Sequence, residues 1–346
     1  MSTALIGPEG AALDFISLDE IGGWAESLPG FDQNAADAAR ARQGELTKPP
    51  GSLGRLEDLA IFMAGWRGLA RPEITSAQAL VFAGNHGVCA QGINPFPQEV
   101  TAQMVVNFQM GGAAINQLCR VAGADLSVIA LDLDHPTRDI TEAPAMTEAE
   151  CLDALRRGAE AVDRAADILI LGEMGIGNST IAAALSNAVF GGTAADWVGR
   201  GTGLDAAGIA HKARVVARAV ERHPACKGMQ ILAALGGREQ AAICGAVLAA
   251  RVARIPVILD GFICTAATAP IFATDRELLA HCLAGHASAE PGHRQLLSAM
   301  GMRPILDLGM ALGEGTGAAL ALNVIRGALA CHDRMATFAE AGVASA

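Results

Sequence analysis

The sequence predicts an α/β fold in which a parallel sheet is flanked by helices, and three observations lead there. Short apolar runs of strand length, among them Ala77 to Ala83, Leu126 to Leu131, Asp167 to Leu171 and Pro256 to Leu259, alternate with longer segments of helical pattern. The ends of these runs carry glycine beside a polar group: Gly84-Asn85-His86, Gly172-Glu173 and Asp260-Gly261. The 346 residues are 51% hydrophobic and 18% charged, enough to bury a large core. Alternating β/α units imply a parallel sheet, and such sheets bind ligands outside the carboxyl ends of their strands.

Taken in order, residues 1–45 read as helical and polar, with an exposed amphipathic helix over Asp32 to Arg42. Pro49-Pro50-Gly51 then imposes a rigid turn, and Ser52 is expected to cap a helix from Leu53 to Leu69. Lys48 and Arg55 flank that turn and are candidates for an anion contact, although charged turn residues are usually just solvated. After the first strand and its glycine-bounded loop, Gln98 to Leu118 reads as one helix. Glu148 to Arg164 is another helix, and a small-residue helix follows Gly175-Ile176-Gly177-Asn178-Ser179-Thr180. Ala206 to Arg222 carries His211 and Lys212 on a helix, after the glycine loop Gly199 to Gly203. Gln230 to Leu235 reads as a possible strand, Glu239 to Val252 as a helix and residues 262–284 as helical. Pro304 to Leu308 is a last extended segment leading into Leu312-Gly313-Glu314-Gly315-Thr316-Gly317.

Bulk properties exclude several functions. The net charge of −11 opposes nucleic-acid binding, which needs a basic surface to release counterions. No uncharged apolar run is long enough to span a bilayer, so no membrane role is expected. Met1 to Glu20 lacks a basic segment followed by an apolar one, and the eight cysteines form no CxxC pair. Reduced core cysteines in a cytoplasmic protein are expected. His286 and His293 are poorly spaced for a metal, so neither metal nor cofactor is expected.

The chemistry gathers on a few residues. Glu314 stands among glycines with no other charge nearby, a setting that desolvates a carboxylate and makes it a better proton acceptor. The plainer reading is an acid at a helix start, where the dipole favours it. Gly175 to Thr180 lies between a strand and a helix and presents backbone N–H groups to an anion. It lacks the Gly-Lys-Ser/Thr ending of a P-loop and the spacing of a dinucleotide fingerprint. Lys212 is a candidate compensating cation, or a solvated helix residue. His86 is a candidate acid/base group, or a satisfied loop histidine.

These motifs together resemble the nicotinate-nucleotide–dimethylbenzimidazole phosphoribosyltransferase family. The resemblance runs from Lys48-Pro49-Pro50-Gly51-Ser52-Leu53-Gly54 through Gly172-Glu173-Met174-Gly175-Ile176-Gly177-Asn178-Ser179-Thr180 and Leu259-Asp260-Gly261-Phe262 to Leu312-Gly313-Glu314-Gly315-Thr316-Gly317. It implies a Rossmann-like large domain over residues 71–325 and a small helical domain built from both chain ends, 1–70 and 326–346. It also implies a homodimer. Glu314 matches the family's catalytic base and Glu173 a second active-site acid. The loop Gly175 to Thr180, with Gly201 and Lys212, matches the binder of the nucleotide phosphate. Asp260 and Ser288 match positions near the ribose or nicotinate. Asn85 and His86 are placed at the base pocket, and Met310, Leu312 and Gly315 shape the ring site around Glu314.

The implied reaction transfers phosphoribosyl from nicotinate mononucleotide to 5,6-dimethylbenzimidazole or a related base, with inversion at C1′. It yields α-ribazole 5′-phosphate and nicotinate for the lower nucleotide loop of cobalamin. Its pyridinium leaving group needs no general acid, which suits one dominant carboxylate instead of the paired acids of glycosidases. Two other classes fit the same scaffold: a nucleotide sensor without turnover, which the retained acids oppose, and a nicotinamide-dependent oxidoreductase.

Overall fold

The computed structural model describes residues 13–344. Among them, five strands form one sheet: β1 (Ala77–Ala83), β2 (Asp125–Ala130), β3 (Ile168–Met174), β4 (Val257–Leu259) and β5 (Cys282–Ala284). Their spatial order is β2-β1-β3-β4-β5, every pairing is parallel, and Leu171 lies opposite both Leu80 and Leu259. The expected α/β class with a parallel sheet is therefore present. The helices are α1 (Gln33–Glu45), α2 (Arg55–Arg67), α3 (Glu99–Gln109), α4 (Ala114–Ala122), α5 (Glu148–Glu160), α6 (Asn178–Phe190), α7 (Ala194–Trp197) and α8 (Ala206–Arg222). They continue with α9 (Gln230–Leu235), α10 (Arg238–Val252), α11 (Phe262–Ala267), α12 (Ala269–Thr274), α13 (Pro291–Met300), α14 (Thr316–Arg334) and α15 (Phe338–Ala341). None is long and apolar enough to cross a membrane.

Strand alternation divides the core into two layers. Leu80, Phe82, Leu169, Leu171, Val257 and Leu259 pack on one face against α5, α6 and α10. Ala79, Val81, Ile170 and Ile258 face the other way, against Leu59 and Met63 of α2 and Ala318 and Leu322 of α14. Each such aliphatic side chain contributes about 1.5–3 kcal/mol when fully buried. The two chain ends meet. Arg42 donates to the carbonyls of His332, Asp333 and Met335, and Leu46 bridges to Thr337. The expected domain boundary between 325 and 326 lies inside α14.

Several expected elements differ. Gln230–Leu235 is helix α9, because Ile231, Leu232 and Leu235 are buried at helical spacing. Residues 282–284 are strand β5, a segment too short to show a period. Gln98 to Leu118 is broken at Gly111 and Gly112 into α3 and α4. Ser52 caps nothing: α2 begins at Arg55, and the Glu57 carboxylate accepts from the Leu53 N–H at 3.0 Å. Lys48 is tied to that same Glu57 at 2.8 Å, and Arg55 donates to the Arg303 carbonyl. Within 13–32 the chain forms one short 3-10 turn, Asp19–Gly23, and buries Phe15, Leu18, Ile21 and Leu28, so this stretch is not the polar helix expected. The part of that reading that covers 1–12 lies outside the described residues. All eight cysteines are free thiols, as expected.

Helices α5 and α10 approach through paired glycines. A Cβ on Gly245 would meet the Leu155 carbonyl, and one on Gly158 would meet the Ala242 carbonyl. Backbone, unlike a flexible side chain, cannot give way locally. Gly245→Ala should therefore lower stability by about 1–3 kcal/mol, the usual scale of overpacking. Urea unfolding checks this, and a wild-type midpoint would refute the close-approach argument.

Candidate active site

Of the strand-end groups expected to converge, Glu173, Asp260 and Glu314 come together, and Asn85 and His86 do not join them. A cavity of about 340 Å³ opens over the C-terminal ends of β3, β4 and β5 and is closed by the segment before α14. Doubly wound sheets commonly bind ligands where the strand order reverses, here between β1 and β3. The cavity lies to one side of that point, because Glu173, Asp260 and Glu314 surround it while the end of β1 is filled by buried side chains.

Glu314 sits in a strained turn. Its φ is +63°, between Gly313 at +84° and Gly315 at +88°. A left-handed non-glycine residue costs about 1–3 kcal/mol and persists only when its surroundings hold it. Asp260 supplies the hold: its carboxylate accepts from the Gly315 N–H at 3.1 Å and the Ala318 N–H at 2.9 Å, so it caps α14. Gly172 lets the turn come close, since a Cβ there would lie 2.6 Å from the Glu314 carbonyl. The result is a carboxylate that is only 6% exposed, with Oε2 buried and without a hydrogen-bond partner among the described residues. Burial, then the nearby Asp260, push Glu314 up to about 7, opposed by the Ile115 backbone N–H.

Glu173 ends β3 and is 4% exposed. The Asn178 side-chain amide donates to it, and Gly313 leaves it room. Burial, Asp260 and Glu239 push it up to about 8 against that hydrogen bond, so it is protonated at neutral pH. Asp260 is pushed up to about 7 by burial, against the N–H groups of Ala318, Gly315 and Gly317. Three acids in one wall thus hold fewer than three charges near neutrality.

The other end of the cavity is formed by backbone and small polar groups beside a buried lysine. Gly175, Ile176, Asn178 and Ser179 line it at the start of α6, with Gly201 opposite. Lys212, on α8, is 1% exposed and donates to Ser179 Oγ at 2.8 Å. Burial pushes Lys212 down to about 8, opposed by the charge of Glu290. The solvated-face reading of Lys212 is thereby excluded. Gly177 shapes the turn at φ +93°, and Thr180 is fully buried behind it in α6.

Ser288 and Leu312 also line the cavity, the latter largely exposed at its mouth. Met310 is placed by its backbone, whose carbonyl accepts from Ala289 N–H at 2.8 Å. Asn85 and His86 are not brought to the cavity wall. Asn85 donates to the Leu133 carbonyl at 3.0 Å, and the His86 ring lies 2.8 Å from Glu239, both fully buried. Among the cavity residues that escaped the sequence reading as site residues, three make contacts that shape it. Glu290 accepts from Gly201 N–H at 3.0 Å, His286 lies 3.7 Å from Asp260, and Gly313 passes over Glu173. All three stand in segments singled out for a neighbouring residue, and only the folded geometry reveals their aim. No cluster suited to a metal occurs among the described residues.

The raised acids carry a stability consequence. Folding lifts Glu173 from 4.5 to about 8, so the folded state holds its proton more tightly than the unfolded chain. That contribution is fully present below 4.5 and is lost as pH rises through about 8. Glu173→Gln removes the titration while keeping the shape. The variant should gain melting temperature over wild type, and the gain should be larger at pH 9 than at pH 5. Equal differences at both pH values would refute this account of the buried acid.

Comparison with known proteins agrees with the geometry. A family profile described as "Phosphoribosyltransferase" matches residues 28–343. The nicotinate-nucleotide--dimethylbenzimidazole phosphoribosyltransferase of Rhodobacter capsulatus is 64% identical over 331 residues, covering 96% of this chain and 99% of that protein. The protein of the same name from Roseobacter denitrificans is 60% identical, covering 95% and 98%. The crystal structure of CobT from Thermus thermophilus superposes with a TM-score of 0.85 at 43% identity, covering 90% of this chain and all (100%) of that one. With the profile spanning most of the sequence and relatives above half identity over nearly all of it, the chain belongs to the nicotinate-nucleotide–dimethylbenzimidazole phosphoribosyltransferase family.

Proposed function

We propose that this enzyme transfers the phosphoribosyl group of nicotinate mononucleotide to 5,6-dimethylbenzimidazole, with Glu314 as the base. The observation that carries the assignment of roles is the partnerless, buried Oε2 of Glu314 in the cavity wall, across from an anion cradle. The phosphate binds the start of α6 and Lys212, which fixes the ribose for in-line attack. One ring nitrogen of the acceptor attacks C1′ and forms the new N-glycosidic bond. The bond to the pyridinium nitrogen breaks, and its electron pair neutralises the leaving nicotinate ring. The acceptor's other N–H loses its proton to Glu314. Attack from the face opposite the leaving group inverts C1′ and gives α-ribazole 5′-phosphate.

Glu173, held neutral by burial, is suited to donate a hydrogen bond without adding a second charge. Leu312 and Ala311 supply apolar surface for the flat acceptor and exclude water. We further propose that the enzyme is a cytoplasmic homodimer. The free thiols support a reducing compartment, and the exposed Leu308 and Leu312 near the cavity mouth support coverage by a second chain.

Mixing the protein with nicotinate mononucleotide and dimethylbenzimidazole should release free nicotinate and α-ribazole phosphate. No product across the neutral pH range would exclude the reaction. A base must be ionised, so kcat/KM should rise with pH through about 7, the value to which burial lifts Glu314. Glu314→Gln should reduce kcat by about 10²–10⁴-fold, the usual contribution of a general base, with nucleotide binding largely retained. Wild-type turnover in that variant would remove Glu314 from the chemistry.

A further inference from the structure

The nucleotide loop is held by two residues outside the cavity wall. The Ile176 N–H donates to Thr101 Oγ1 at 3.1 Å, and the Ile176 carbonyl accepts from the Cys89 thiol at 3.2 Å. We propose that Thr101 and Cys89 are positioning residues that clamp Ile176, one on each of the two peptides that flank it, and so aim the first turn of α6 at the substrate phosphate. The proposal rests on the reading of Gly175 to Ser179 as the phosphate cradle.

Several features support a positioning role over simple packing. On α3 the buried residues are Thr101, Val105 and Phe108, one helix face on which Thr101 alone is polar. A buried helical threonine usually bonds a carbonyl in its own helix. Here the hydroxyl oxygen instead accepts from a backbone amide 75 residues away, and Thr101 is 0% exposed. Cys89 also packs on the loop, because a Cβ on Gly177 would lie 2.6 Å from its sulfur. Burial pushes the Cys89 thiol up to about 11, which keeps its proton available to donate. The Gln98 side chain donates to the His86 carbonyl, so the segment carrying Cys89 is itself closed just before Thr101. With the Ile176 N–H and carbonyl both engaged, the peptides on either side of Ile176 are each held against rotation. Asn178 and Ser179, which follow it, then present a fixed set of groups to the anion.

A clamp on a ground-state phosphate contact should act on binding and little on chemistry, because the phosphate does not change charge in the reaction. Thr101→Val keeps shape and removes the acceptor. It should raise the KM for nicotinate mononucleotide by about five- to tenfold, the scale of one buried hydrogen bond. The kcat and the KM for dimethylbenzimidazole should stay within about threefold, less than the loss of such a bond. Thr101→Ser restores the oxygen and should return the nucleotide KM to near the wild-type value. Cys89→Ala should raise it by about two- to threefold, as expected for a weaker thiol donor. An unchanged nucleotide KM in Thr101→Val, or equal rises in both KM values, would overturn the clamp. If Thr101→Val does not fold, an unchanged nucleotide KM in Cys89→Ala would overturn it instead. A nucleotide KM unchanged by Lys212→Ala would overturn the phosphate-cradle reading itself, a different failure from a Thr101-insensitive KM in an enzyme whose nucleotide KM does depend on Lys212.

Discussion

The site depends on one buried carboxylate bonding to backbone. Asp260 at the end of β4 accepts from Gly315 and Ala318 and thereby fixes the start of α14. Without that cap, three successive residues in the left-handed region, Gly313 to Gly315, have no counterweight to their strain. The glycines on either side remove the steric objection for themselves but not for Glu314. Gly172 removes the remaining obstacle by letting the turn rest on β3. A helix N-terminus therefore holds a protein carboxylate at α14, and in the function proposed above a second one, at α6, holds the anionic substrate.

Placing Glu173, Asp260 and Glu314 in one wall opposes folding and serves chemistry. Burial disfavours the charged form of each, and Asp260 raises Glu173 and Glu314 further. An inverting glycosidase resolves a similar crowd by giving one acid to the leaving group. Here the leaving group already carries positive charge, so the proton to be moved is the acceptor's. One ionised acid near neutrality is then enough. Lys212 shows the reverse: burial pushes it down to about 8, and the phosphate it is proposed to meet would favour its charged form.

Much of this was legible in the sequence because the fold writes its site at strand ends. Apolar runs followed by glycine and a polar residue identified β1, β3 and β4 and the residues Glu173, Asp260 and the Gly175 loop. Glu314 was legible as a lone charge among glycines; the helix-start alternative comes close, since α14 begins two residues later, but no acid lies in its first turn. The failures share a cause. β5 and α9 are too short for periodicity to speak, and packing decides their type. His86 and Asn85 end a strand as the others do, yet Glu239 and the 131–145 segment cover them. Glu290, Thr101 and Cys89 act through partners far along the chain, which no local pattern encodes.

The role of Glu314 is tested most directly by a crystal structure of the enzyme with dimethylbenzimidazole bound. A ring N–H within about 2.6–3.2 Å of a Glu314 carboxylate oxygen, the reach required of a general base, is the expected result. A ring nitrogen bonded to Glu173 instead, with Glu314 making no contact, would contradict it.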